Sequence, residues 1–381
     1  MISKRASEFT SFIVMDVMAK AEELERQGEH VIHLEVGEPD FPTPQVITNA
    51  AVDALQNNKT RYTHALGLLE LREEICRCYF NEYGIKISPD QVLVSTGTSP
   101  VLLFAMLALL DHGDEVVISN PRYPCYQNFI HAAGGLLTEI RTYPEEGFQY
   151  RPEVIKSKLT PRTKAIIINS PSNPTGIVMT KEQLQNMAQF DEQYIISDEI
   201  YHGLVYQGRA HSILEFTDKA FVINGFSKLY AMTGWRLGYC IFPREFSKVM
   251  QRIHQNFMIS ANGFVQWAGI AALTQAQDAV AQMRAIYDER RRYMLARLSE
   301  MGFVIHTEPT GAFYVFADGR SFFSDSYKEA FKITEEAKVG VTPGIDFGSG
   351  GEGFLRFSYA NSLDNIKEGL TRLEHYLQKY R

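Results

Sequence analysis

The chain has 381 residues, 45% of them hydrophobic and 22% charged, with a formal net charge of -7 at pH 7. That length predicts two domains rather than one core. The acidic balance and the lack of a basic stripe argue against a nucleic-acid partner, and no apolar run reaches membrane-spanning length. The basic start, Met1–Arg5, is not followed by the hydrophobic stretch of a signal peptide. Cys76, Cys78, Cys125 and Cys240 are too few to staple so long a chain and read as reduced thiols of a cytoplasmic protein. Cys76 and Cys78 are two apart on an apparent helix and do not share a face, so no metal site is expected.

Taken in order, residues Phe9 to Arg26 have helical spacing and stop at Gly28. Val31–Val36 reads as a short strand, and Gly37-Glu38-Pro39-Asp40-Phe41-Pro42 as a rigid loop. From about Val46 to Phe242 strand and helix alternate, with apolar strands at 91–94, 115–118, 164–168, 194–196 and 220–223. Continuous apolar character suits parallel strands buried on both faces, and the segments between them are long enough for crossover helices. The expected architecture is α/β, with a large doubly wound, mainly parallel sheet whose ligands gather at the carboxyl ends of its strands. Ala276 to Met301 reads as one long amphipathic helix ending at Gly302, and the remainder as a smaller α+β domain with strands at 311–316 and 353–358. The glycine-rich segment 348–353 lacks the strand–turn–helix setting of a phosphate loop and reads as a flexible turn.

A polar motif follows each apolar strand. Ser95-Thr96-Gly97-Thr98-Ser99-Pro100 reads as a turn with Pro100 at the first helical position, where no amide hydrogen is needed, and with amides free for an anion. Helix capping alone would also explain Thr98 and Ser99. Ser119–Pro124 contains Tyr123, and 169–176 contains the Pro-locked Asn173. Asp198 ends a buried strand, where a carboxylate needs a partner. In the stretch Ser227-Lys228-Leu229-Tyr230-Ala231-Met232-Thr233-Gly234-Trp235-Arg236, a lysine in an apolar site has a disfavoured ammonium form. The arginine eight residues on offers a planar fork for phosphate. A Schiff-base amine beside a phosphate clamp suggests pyridoxal phosphate.

Ser227-Lys228 through Arg236-Leu237-Gly238-Tyr239 resembles the cofactor-lysine signature of class I and II aminotransferases, which share the aspartate-aminotransferase fold. The other motifs occur in that family's order along nearly the whole chain. The resemblance implies that Lys228 forms the Schiff base with pyridoxal 5'-phosphate and moves protons. It implies that Arg236, Thr98, Ser99 and Ser227 surround the phosphate, and that Tyr123 stacks on the ring. Asp198 would meet the ring nitrogen, and Asn173 and Tyr201 the phenolic oxygen. Gly37 would line the substrate pocket and Arg356 would grip the substrate carboxylate. Tyr62 matches a tyrosine that reaches the neighbouring subunit's phosphate, which implies a homodimer with shared active sites. The implied domains are a large cofactor-binding domain, 46–285, and a small one formed by 1–45 and 286–381.

One departure is Gly225, where many relatives carry a phosphate-binding serine; Ser227 or water would fill its place. The expected reaction moves an amino group from an L-amino acid to a 2-oxo acid by a ping-pong route. A carbon–sulfur β-lyase on the same fold would use the same residues. A cofactor-sensing regulator module would need a fused DNA-binding domain, for which the chain's start leaves no room. Some relatives with acidic substrates place a lysine at the position of Ser99, so neutral or aromatic donors are favoured here.

Overall fold

The structure, a computed structural model, describes residues 2–380. Seven strands form the principal sheet: β1 (Val92–Ser95), β2 (Glu115–Asn120), β3 (Leu136–Arg141), β4 (Thr163–Asn169), β5 (Tyr194–Asp198), β6 (Ala220–Gly225) and β7 (Gly238–Ile241). Their spatial order is β1-β7-β6-β5-β4-β2-β3. All neighbours are parallel except the pairs β1–β7 and β7–β6. The two reversals cancel, so the carboxyl end of β1 lies on the same edge as those of β2, β4, β5 and β6. That edge carries the polar motifs.

Alternation along the strands explains why this sheet is covered on both sides. Val92, Val94, Val117, Ile166, Ile168, Ile195 and Val222 enter one apolar core, and Leu93, Val116, Ile118, Ile167, Ile196, Phe221 and Ile223 the other. Successive side chains point to opposite faces, so an unbroken apolar run needs helices on both.

A second sheet is built from β8 (Tyr314–Asp318), β9 (Thr342–Pro343) and β10 (Phe354–Ser358), in the antiparallel order β9-β10-β8. Its core takes Val315, Leu355 and Phe357 together with Met294 and Leu298 of the helix Gln277–Met301 and Ile366, Leu370 and Leu373 of the helix Leu363–Leu377. Gly302 ends the long helix in the left-handed conformation, φ 106°, where glycine carries no Cβ penalty.

Four sequence expectations change. The first long helix begins at Ile13, not Phe9, because Asp346 accepts from the Ile13 and Val14 amides at 2.9 and 3.2 Å and fixes the helix start there. The strand read at Val31–Val36 shortens to Ile32–His33, paired with Val339–Gly340. Strand β3 went unread because it lies at the sheet edge and is mostly part-exposed, so it lacks an apolar run. The segment 348–353 is not a loose turn. Gly350 is buried, and its amide donates to Asn120 Oδ1 at 2.6 Å. A Cβ on it would stand 2.5 Å from the Asn120 carbonyl, so only glycine allows this approach.

Candidate active site

Lys228 lies in the turn after β6, and its Nζ donates to the Gly37 carbonyl at 2.7 Å. Burial pushes its amine down to about 8; Arg356 and Arg236 push the same way, while Glu38 opposes them. The turn is pinned from the side of the rigid loop. Thr43 Oγ1 donates to the Ala231 carbonyl at 2.6 Å and accepts from Trp235 Nε1 at 2.9 Å. Thr233 also bonds Glu38. Arg236 adopts φ 54° and returns its Nη1 to the Thr233 carbonyl at 2.9 Å, a local bond that holds an otherwise disfavoured backbone conformation.

Arg236 reaches the start of the helix Thr98–Leu109. Gly97 stands just before it with φ 95°, and a Cβ there would lie 2.6 Å from Arg236 Nη2. Thr98 and Ser99 are the first two residues of this helix, so Pro100 sits third rather than first, still within the turn that needs no amide donor. Free amides and a guanidinium together make an anion site. Glycines make room for it: a Cβ on Gly238 would come within 2.6 Å of the Gly97 carbonyl carbon and 2.7 Å of the Thr98 amide. Gly225, the register partner of Gly238, would place a Cβ 3.0 Å from the Gly238 Cα and 3.2 Å from Thr98 Cγ2. Ser227 is buried, its carbonyl accepting from Met232 N at 3.2 Å.

Asp198 ends β5 and is buried. Tyr126 donates to its Oδ2 at 2.7 Å and the Ile200 amide to its Oδ1 at 3.2 Å. Burial pushes its carboxyl up to about 6, against the pull of these two bonds and of Lys228. Tyr123, three residues before Tyr126, is half-buried and packs edge-on against it, ring centroids 5.3 Å apart.

Arg356 projects from β10, only 2% exposed. Its Nη1 donates to Asn173 Oδ1 at 2.9 Å, and Nη2 to the Glu35 carbonyl at 2.5 Å and Thr342 Oγ1 at 3.1 Å. Every one of these acceptors is neutral, and among the described residues Nε has no hydrogen-bond partner. The guanidinium lies 4.3 Å over the Tyr314 ring. Tyr314 OH is 2.8 Å from Tyr201 OH, and a side chain on Gly37 would collide with that same Tyr314 hydroxyl. Gly37, Tyr201, Lys228, Asn173 and Arg356 are thus linked through one cluster. Tyr62 is not part of it. It is 81% exposed, on a loop braced by Thr63 N to Ser260 Oγ at 3.3 Å and Gln266 Nε2 to Thr63 Oγ1 at 3.1 Å.

Three groups in the site escape a reading by motif alone: Tyr126, Tyr314 and Asn169, whose Nδ2 donates to the Asp198 carbonyl at 3.0 Å. Asn169 ends β4 directly opposite Asp198 in the strand register. The strand-end pattern that singles out Asp198 therefore also points to it.

The site can be set beside known proteins. The family model "Aminotransferase class I and II" matches residues 29–373. The chain is a class I and II aminotransferase. The aminotransferase is 44% identical over 387 residues to the (5-formylfuran-3-yl)methyl phosphate transaminase of Methanocaldococcus jannaschii, covering 100% of both chains. It is 39% identical over 383 residues to the aspartate aminotransferase of Thermotoga maritima, covering 99% of each. Among solved structures, a double mutant of Thermus thermophilus aspartate aminotransferase superposes with a TM-score of 0.94 at 37% identity, covering 98% of this chain and 99% of that one. Transamination is therefore this enzyme's activity, in a family that is typically pyridoxal-phosphate-dependent. The seven-stranded sheet with its small antiparallel companion is the aspartate-aminotransferase fold. Among the described residues no helix is long and apolar enough to cross a membrane, and no acidic, histidine or cysteine cluster could hold a metal.

Proposed function

We propose that the cleft between Lys228 and Arg356 holds pyridoxal 5'-phosphate and an amino acid, with each residue in the role its position suits. The residues fit the cofactor chemically. A helix start beside Arg236 suits a phosphate, a buried Asp198 suits a ring N–H, and an amine that is neutral above about pH 8 suits an aldehyde. When bound, the cofactor supplies an electron sink for the bond broken at the substrate α-carbon.

Thr98, Ser99, Ser227 and Arg236 hold the phosphate, Tyr123 lies against the ring, and Asn173 and Tyr201 donate to the phenolic oxygen. Lys228, once released, moves the proton at the α-carbon. Gly37 closes the substrate side without a side chain. The observation that carries this reading is Arg356, a buried guanidinium whose bonds all go to neutral acceptors among the described residues. A buried cation with no anion bonded to it is costly; a substrate carboxylate supplies one and takes the planar fork in bidentate fashion.

Tyr62 completes the site of a second copy. Its exposure supports this, as does its neighbourhood. Ile259, 52% exposed, and Phe257, 63% exposed, lie beside the Ser260 that braces the Tyr62 loop. Exposed apolar groups gathered this way mark an interface. The large domain is residues 46–285 and the small one 1–45 with 286–381. Four free cysteines suit the reducing cytoplasm.

The substrates are an L-amino acid and a 2-oxo acid, with neutral or aromatic donors preferred because Ser99 supplies no cation. The test is a screen of amino donors against pyruvate and 2-oxoglutarate, with (5-formylfuran-3-yl)methyl phosphate added as an acceptor because the 44% relative acts on it. Aspartate or glutamate outperforming every neutral donor by tenfold or more would overturn the preference.

A further inference from the structure

A second cavity, of about 610 Å³, lies among the carboxyl end of the helix Leu69–Tyr83, the loop 202–210 and the start of the helix Gln277–Met301. Leu229 and Tyr230, which follow Lys228, line it, whereas Lys228, Asp198, Tyr201 and Arg356 do not. Its volume is that of a small-molecule site. Four tyrosines face it, Tyr79, Tyr83, Tyr230 and Tyr239, together with Phe226. The charged groups on its wall are Arg209 and Arg284 against a single carboxylate, Glu82.

These groups are not all spoken for. Arg209 donates its Nη2 to the Glu82 carbonyl at 2.7 Å, stands 3.9 Å from Glu215 Oε2 and lies 5.7 Å over the Tyr83 ring. Arg284 is exposed and makes no ion pair or hydrogen bond among the described residues. His202, 5% exposed, also lines the cavity; its Nδ1 is 2.8 Å from Tyr83 OH and 3.5 Å from Glu199 Oε2. Aromatic walls favour a flat ring. An unpaired Arg284 beside an Arg209 held only at long range by Glu215 favours an anion, and the planar forks favour a carboxylate.

We propose that this cavity is a second ligand site, taking a small aromatic carboxylate whose ring lies among the tyrosines and whose charge meets Arg284 and Arg209. The site touches the catalytic turn. Gly203 has no side chain where a Cβ would stand 2.6 Å from Leu229 Cδ2, so Leu229 packs onto the turn after Tyr201 and forms the cavity wall beside Lys228.

Equilibrium dialysis of the cofactor-loaded enzyme with 3-phenylpropanoate tests this. The parent is expected to bind two equivalents per chain: one lost in Arg356→Ala, the other lost in Ala281→Trp, whose ring fills the cavity. Arg284→Glu, a change at an exposed helix position, should weaken the second equivalent by about tenfold or more. 3-Phenylpropanol, the same ring without the charge, should bind there about tenfold more weakly or worse. A single equivalent, lost in Arg356→Ala and unchanged in both Ala281→Trp and Arg284→Glu, overturns the site. Equal binding of alcohol and acid overturns the carboxylate assignment. A single equivalent that survives Arg356→Ala and disappears in Ala281→Trp supports the second site while removing Arg356 as the substrate clamp.

Discussion

Tyr126 donates its hydroxyl to Asp198 Oδ2 at 2.7 Å, so a residue outside every motif holds the carboxylate at the centre of the site. A hydrogen bond to the charged form lowers a carboxyl pKa, against burial that has pushed this one up to about 6. Tyr126→Phe should therefore move the acid limb of the activity profile upward, by about one pH unit, and leave turnover near pH 8.5 within about threefold of the parent. Asp198→Asn should cost about a hundredfold at every pH, the scale for a preorganised charged contact. An unshifted acid limb in Tyr126→Phe would show that the bond has no electrostatic role.

The second expectation concerns the Lys228 amine. With its pKa lowered to about 8, the amine is mostly protonated at pH 6 and mostly free above 8. The rate at which cofactor-free protein takes up pyridoxal phosphate should climb roughly tenfold per pH unit up to that point and then level. Absorbance changes on mixing read this directly. A rise that continues to pH 10 would mean that Lys228 behaves as an ordinary exposed lysine.

On the proposed role of Arg356, Arg356→Ala should raise KM for amino acids by about a hundredfold, the scale for losing a bidentate charge-assisted pair from a buried site. Arg356→Lys should recover only part, because an ammonium cannot reproduce the fork. Primary amines without a carboxylate should react with parent and variant at similar rates. If they lose as much as amino acids do, the arginine is structural.

A fourth expectation concerns stability. Glu199 is buried next to Asp198 in the chain; Ser197, Ser212 and the Ile213 amide all donate to its Oε1, yet burial pushes its carboxyl up to about 8. Between the unfolded carboxylate range and pH 8 the folded state keeps a proton that the unfolded chain has released. Stability from this group is thus greatest at low pH and falls as pH rises through that window, by at most about 1.4 kcal/mol per pH unit. Denaturant titrations of parent and Glu199→Gln, both cofactor-free, should diverge steadily from pH 5 to 8, the parent losing ground. Parallel curves would mean that Glu199 is ionised throughout.

For the shared site, a mixed dimer pairing Tyr62→Phe with Arg356→Ala should keep about half the parental rate, because both lesions fall in one site. If Tyr62 serves its own chain, the rate should equal the mean of the two single-variant homodimers. The comparison needs Tyr62→Phe alone to be clearly impaired.

Motifs were legible wherever a buried strand delivers a polar residue to the sheet edge: Lys228, Asp198, Asn173 and Thr98 all announce themselves this way. Tyr126 and Tyr314 do not. Each is an ordinary-looking aromatic, and only the fold brings Tyr126 to Asp198, 72 residues away, or Tyr314 to Tyr201, 113 away. Strand β3 was invisible for the opposite reason: as an edge strand it needs little apolar character, and its pattern is that of a surface segment. The cavity beside Leu229 had no signature either, because its arginines and tyrosines come from four separated stretches.

The glycine-rich turn has a further consequence. Gly350 rests on Asn120, the next residue but two before Tyr123, while Phe347 accepts from the Arg122 amide at 2.9 Å and lies 5.1 Å from the Arg356 guanidinium. One short segment therefore sets the spacing between Tyr123 and Arg356, the residues proposed above for the cofactor ring and the substrate carboxylate. A side chain introduced at Gly350 would press on Asn120 and, on the roles proposed above, should register in assays as two defects at once, looser cofactor retention and poorer substrate capture. Any survey of random variants would then score a residue with no functional group among the most damaging in the protein.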